Sequence, residues 1–216
     1  MVLLDMQALL ICGGYSWPTE VTSYIASNEC YILDKYSSRL FATMTEKRYS
    51  AASLITNENK LWVTGGLDFD HDLPAFSSTE YILKNGESVK GPELPHGLAG
   101  HTLIGINSTF SMFIGGVIAY DSIDLTYYYD HSNQVWFNGP ILNSARSYHG
   151  TGIVTDLVTR ERLVVVTGGQ SYDKQTNDYE NYRSTEILLD EKWVLGNKKS
   201  RTFPPRDCQI GNSQYG

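Results

Sequence analysis

The sequence predicts an all-β chain built from a repeated unit of short strands. Three observations carry this reading. Four Gly-Gly doublets stand at near-equal spacing, an apolar run precedes each, and a second apolar or aromatic run follows each. The doublets are Gly13-Gly14, Gly65-Gly66, Gly115-Gly116 and Gly168-Gly169, and their first glycines are 52, 50 and 53 residues apart. Self-similarity at about 50 residues is the signature of stacked supersecondary units. No segment carries the 3.6-residue period of an amphipathic helix.

The apolar runs are Ala8–Cys12, Lys60–Thr64, Ser111–Ile114 and Leu163–Thr167. Each is apolar on both faces, which predicts a strand covered by neighbouring sheets on both sides. The glycines follow because the chain turns sharply there and another backbone comes close, which a Cβ would obstruct. Second strands are predicted at Glu29–Asp34, Glu80–Lys84, Thr126–Asp130 and Glu186–Asp190, two of them headed by Ser-Thr-Glu at 78–80 and 184–186. Strands leading up to the doublets are predicted at Ala52–Ile55, His101–Ile104 and His149–Val154; before Ala8 the corresponding strand is expected to be weak or missing. Outer strands carry Trp136 and Trp193, and Gly91-Pro92 and Gly139-Pro140 mark equivalent turns. Each unit therefore comes to about four short strands.

Composition bounds the function classes. The 216 residues carry a net charge of −7, and 12% are aromatic, with 15 Tyr. An acidic chain of this kind is a poor partner for nucleic acid or an anionic membrane surface, both of which reward a basic face. No apolar stretch is long enough for a membrane span. Cys12, Cys30 and Cys208 stand far apart in sequence, which reads as reduced thiols in a cytoplasmic protein; a disulfide plus a free thiol in a fragment of a secreted, extracellular protein is the alternative.

The doublets with their flanks resemble the kelch-repeat family over essentially the whole chain. That family pairs an apolar strand ending in Gly-Gly with a Tyr and then a Trp about seven residues on, and Tyr129 and Trp136 match it. Arg48 and Arg146 stand before first strands, as family members often have it. Repeats one and two depart from the pattern, with Leu40 and Lys90 near the place of the Trp, and Trp193 comes early in repeat four. The resemblance implies a kelch-type β-propeller with about four blades, in one domain with repeats at 8–44, 45–95, 96–143 and 144–203. Residues 206–216, beginning at Arg206, look like the start of a further first strand. They either complete blade one of a small closed ring or belong to an incomplete piece of a larger propeller.

In such a fold strands form the scaffold and loops carry function. The loops after the doublets hold nine acids (Glu20, Asp68, Asp70, Asp72, Asp121, Asp124, Asp173, Asp178, Glu180) against Lys174 and Arg183, interspersed with Tyr15, Trp17, Tyr24, Phe69, Phe76, Tyr120, Tyr172, Tyr179 and Tyr182. Acids beside aromatics suit a basic peptide; solvated polar loops are the alternative. The candidate partner-binding residues are Asp68, Asp70, Asp72, Tyr172, Asp178 and Tyr179, with Arg48 and Arg146 either facing an acidic partner or bracing the turn between blades. Asp68-Phe69-Asp70-His71-Asp72 fails the EF-hand pattern, lacking its glycine and its final Glu. His101 and His149 recur in register, which points to a structural role. The expectation is a protein–protein interaction module, a scaffold or substrate adaptor without a cofactor. The alternative is a galactose oxidase-like copper enzyme, for which Tyr and His are available but no catalytic motif assigns them.

Overall fold

The computed structural model describes residues 2–5, 8–17, 23–69, 75–173 and 178–196. They form four antiparallel four-stranded sheets, one after another along the chain. Sheet I holds β1 (Val2–Asp5) and β2 (Ala8–Cys12), then, beyond a small hairpin of β3 (Tyr15–Ser16) and β4 (Ile25–Ala26), β5 (Glu29–Leu33) and β6 (Ser38–Thr43). Sheet II holds β7 (Ala52–Ile55), β8 (Leu61–Thr64), β9 (Thr79–Ile82) and β10 (Ser88–Lys90). Sheet III holds β11 (Thr102–Gly105) and β12 (Phe110–Ile114), a hairpin of β13 (Val117–Ile118) and β14 (Asp121–Ser122), then β15 (Thr126–Asp130) and β16 (Val135–Asn138). Sheet IV holds β17 (Gly150–Thr155) and β18 (Arg162–Thr167), a hairpin of β19 (Gln170–Asp173) and β20 (Asp178–Asn181), then β21 (Thr185–Leu189) and β22 (Lys192–Leu195). The first strands β1, β7, β11 and β17 lie side by side in that order. The result is a β-rich fold resembling a propeller.

Three cores join the four sheets. Leu10, Cys30 and Ile32 of sheet I pack on Leu61, Val63 and Ile82 of sheet II. Trp62 packs with Phe113, Tyr127 and Tyr129 of sheet III. Met112 and Ile114 pack with Val164, Val166 and Trp193 of sheet IV. The predicted double-sided burial holds for β8, where every residue is buried, and nearly so for β12. It does not hold for β2 and β18, where burial is partial or alternating. The reason is position: sheets I and IV each have one described neighbour, so alternate side chains lose cover. Val154, Leu189 and Val194, on the side of sheet IV turned from sheet III, are exposed, as are Tyr31 and Leu40 on the outer side of sheet I.

The doublets tie each sheet to the next. All eight glycines have positive φ. The second glycine's N–H donates to a carbonyl of the segment leading into the following sheet: Gly14 to Arg48, Gly66 to Leu98 and Gly116 to Arg146, at 2.8–2.9 Å. A Cβ on Gly66 would lie 2.8 Å from the Tyr49 carbonyl oxygen and 3.1 Å from two side chains, at φ +101°. Glycine there is required by both backbone and space.

Two expectations are corrected. The strand before Ala8 is present: β1 pairs with β2 through Val2↔Leu10 and Leu3↔Leu9. Cys12 and Cys30 are not separate thiols. They are register partners on β2 and β5 and form a disulfide. They stand 18 positions apart in sequence, and the β3–β4 excursion between them returns the chain to the same place. The further strand proposed at 206–216, and Cys208, lie outside the described residues.

Candidate functional site

The face beyond the doublets is built by insertions. Sheets I, III and IV each place a two-stranded hairpin there, and sheet II places the segment from Leu67 to Ser78, part of which lies outside the described residues. The lead-in segments anchor these insertions through the bridges Tyr49↔Leu67, Ala99↔Val117 and Ser147↔Gln170. The Ser50 carbonyl accepts from Gly100 N–H, and the Gly100 carbonyl accepts from Tyr148 N–H, so successive lead-ins are also bonded to one another.

Between sheets I and II this face carries five aromatic rings in contact. Phe69 stacks on Tyr49 at 4.2 Å and lies nearly parallel to Tyr24 at 5.5 Å. Tyr15 meets Tyr24, Tyr49 and Phe69 edge-on at 5.2–5.6 Å. Trp17 closes on Tyr24 at 4.6 Å and 75°. Such geometries satisfy the ring quadrupoles. Yet Tyr15 is 59% exposed and Trp17 57%, and Tyr24 and Phe69 are exposed as well. Asp68 stands beside the cluster, its Oδ1 accepting from Phe69 N–H at 2.7 Å. Burial, with Tyr148, Asp68, Tyr15 and Tyr120 close by, raises the Tyr49 hydroxyl above its ordinary value.

The other half of the face exposes Tyr120, Tyr148 and Tyr179, which do not join in one cluster of rings. Tyr172 and Tyr179 are partners across the β19–β20 hairpin with rings 5.2 Å apart, and Asp178 Oδ1 accepts from Tyr179 N–H at 2.7 Å. Ser122 Oγ lies 3.1 Å from Ser147 Oγ, linking the sheet III hairpin to the lead-in of sheet IV. The structure thus gathers Tyr172, Asp178 and Tyr179 in one hairpin and sets Asp68 by the aromatic cluster. Asp70 and Asp72 lie outside the described residues. Tyr49 and Tyr148 were not singled out by the sequence reading. Their only sequence signal is position, one and two residues after the lead-in arginine.

Arg48 and Arg146 belong to the interior, which corrects their candidacy as partner-binding residues. Both are 0% exposed. Arg48 donates to the carbonyls of Gly65 (2.6 Å) and Ser78, to Ser78 Oγ and to Glu80 Oε1 (2.9 Å). Arg146 repeats this with Gly168, Ser184 Oγ and Glu186 Oε1 (2.6 Å). The Ser-Thr-Glu triplets are therefore receptors for the arginines. Each glutamate also accepts two lead-in N–H groups, Thr45 and Glu46 for Glu80, Asn143 and Ser144 for Glu186. Burial works to raise the Glu80 carboxyl, but hydrogen bonds from Ser88, Thr45 and Glu46 and the Arg48 charge leave it below its ordinary value. In sheet III the same three places hold Pro95, Leu98 and Tyr127. Leu98 and Tyr127 are buried in one core, and a proline has no N–H to satisfy.

His101 and His149 are buried, with Nε2 2.9 Å from Thr64 Oγ1 and Thr102 Oγ1 respectively. Burial pushes them down to about 3 and about 4, so both are neutral imidazoles. Among the described residues, no group of three or more His, Cys, Asp or Glu could hold a metal ion.

No family model matches the sequence, and no curated protein matches it. Among solved structures, that of YjhT matches with a TM-score of 0.73 at 14% identity, covering 88% of this chain and 67% of that one. At that identity the likeness concerns the fold alone, a β-rich arrangement resembling a propeller, and it takes in nearly all of the chain.

Proposed function

We propose that the chain is a kelch-type propeller segment acting as a protein-interaction module, with the face beyond the Gly-Gly doublets as its binding surface. One observation carries the reading: the exposed aromatic cluster of Tyr15, Trp17, Tyr24 and Phe69. Large exposed rings held together by a rigid scaffold mark interaction sites on soluble proteins. The acidic charge of the surrounding loops favours a partner with basic side chains, such as a peptide segment. Neither nucleic acid nor a membrane surface fits that charge. The Cys12–Cys30 disulfide favours an extracellular or otherwise oxidising setting over the cytoplasm.

The test is quantitative capture with the full chain, a Tyr15→Ala/Phe69→Ala variant, and a control carrying Tyr36→Ala. Tyr36 is 86% exposed and lies in the β5–β6 turn, away from the cluster. Partners lost from the first variant and kept by the control support the reading. Partners kept by both variants place binding elsewhere and overturn it.

A further inference from the structure

Resting on that interaction reading, we infer that the five-ring cluster between sheets I and II is a receptor for a side-chain cation, a lysine ammonium or arginine guanidinium carried by the partner peptide. The argument starts from what the rings do for one another. Phe69 stacks on Tyr49 and lies near-parallel to Tyr24, and Tyr15 meets all three rings edge-on. Trp17 meets the outer ring, Tyr24, at 75° with centroids 4.6 Å apart, forming an aromatic corner. Trp17 and Tyr15 are more than half exposed, so the corner opens to solvent.

An aromatic corner of this kind has two candidate occupants, an apolar side chain or a cation. Charge decides between them. Asp68 sits at the base of the cluster, fixed by its bond to Phe69 N–H. Across the rest of the face Asp121, Asp124, Asp178 and Glu180 outnumber Arg183, so the long-range field has the same sign. The lead-in residues Glu46 and Lys47 offset each other. An apolar side chain gains nothing from this field, whereas a cation gains from both the field and the ring faces. Elsewhere the protein makes the same choice internally: Arg48 lies 5.3 Å from the Phe76 ring centroid, and Arg146 4.9 Å from that of Tyr182.

The test is selection of random peptides on phage against the full chain, followed by binding of synthetic peptides to Trp17→Ala, Trp17→Phe, Tyr24→Ala, Asp68→Asn and a Tyr179→Ala control. Circular dichroism verifies that each variant is folded. Enriched peptides should share a Lys or Arg. Replacing a shared Lys by norleucine, which keeps the apolar stem and removes the charge, should weaken binding about three- to thirty-fold. Tyr24→Ala and Trp17→Ala should lower affinity to a similar degree, Trp17→Phe should retain it, and Asp68→Asn should reduce its salt dependence. Peptides that need the aromatic corner but tolerate norleucine overturn the cation inference and leave the interaction module standing. Peptides that depend on Tyr179 and ignore the corner do the same. If no peptide is enriched, and capture by the full chain is also insensitive to the loop-face variant, both readings fall.

Discussion

The repeat contains its own mutagenesis experiment. Sheets II and IV hold a buried Arg–Glu pair, and sheet III fills the same places with Leu98 and Tyr127. Breaking a buried pair by removing one partner costs about 3–5 kcal/mol, because the other charge is left uncompensated in the interior. Arg146→Leu strands Glu186, and Glu186→Tyr strands Arg146 together with the N–H groups of Asn143 and Ser144. Each single variant should therefore lose about 3–5 kcal/mol. The double variant removes both charges but still leaves the N–H groups of Asn143 and Ser144 without their acceptor, a residual cost of about 1–3 kcal/mol for each that stays dry. Adding Asn143→Pro copies the sheet III solution, since Pro95 occupies that place there. The triple variant leaves only Ser144 N–H to find another acceptor and should come within about 1–3 kcal/mol of the parent. Urea unfolding followed by far-UV circular dichroism, with a constant m-value as the check on mechanism, measures all four. A triple variant as unstable as either single variant would show that the sheet III arrangement is not a substitute for the ion pair. Single variants that lose less than about 1 kcal/mol would show that the pair is not effectively buried.

Two further predictions follow from buried groups. His101 and His149 stay neutral when folded, while an unfolded histidine titrates near pH 6.5; between that value and about 4 the unfolded chain binds protons that the folded chain does not, so stability falls as pH drops. Going from pH 7.5 to 5.0 should cost about 4 kcal/mol for the two together, and His149→Gln should about halve that loss; a pH dependence unchanged by the substitution refutes the assignment. With Cys12 and Cys30 joined, unfolding without reductant should expose one reactive thiol of the three cysteines, and reduction should expose all three; closing a loop of this length contributes about 3 kcal/mol in the chain-entropy model, so the reduced protein should unfold at lower denaturant.

What was legible in the sequence followed from local rules. An apolar run closed by Gly-Gly needs only the neighbouring backbone to explain it, and the four units stand where the doublets put them. Arginine followed by Ser-Thr-Glu was visible as two separate recurrences, in the same two units and absent from the third. That coincidence is a contact map in outline, but the receptor role needed the third dimension, where Ser78 and Glu80 come round to face Arg48. The disulfide was hidden by counting along the chain. Counting across the sheet, Cys12 directly precedes its doublet and Cys30 is the second residue of the returning strand, so the two are opposite one another. The strand β1 was obscured by Asp5, where its pairing with β2 shifts register. The aromatic residues of the loops were all on view, but their convergence was not. Tyr49 joins the cluster from the preceding lead-in, and only the Tyr49↔Leu67 bridge brings Phe69 against it.

That bridge also explains why the binding face can differ from sheet to sheet while the scaffold does not. Each lead-in segment gives one carbonyl to the preceding doublet and forms one bridge to its own sheet's insertion. These bonds are made by backbone, so they constrain where an insertion starts and not which side chains it carries. At the equivalent place the three lead-ins hold Tyr49, Ala99 and Ser147. Tyrosine there recruits Phe69 and, through it, the sheet I hairpin. Serine there bonds instead to Ser122, joining the sheet III hairpin to the β19–β20 side. A single side chain thus decides whether the neighbouring insertions meet through rings or through hydrogen bonds. The aromatic half is the one where five rings gather beside a carboxylate, and that combination directs the search for a partner to the junction of sheets I and II.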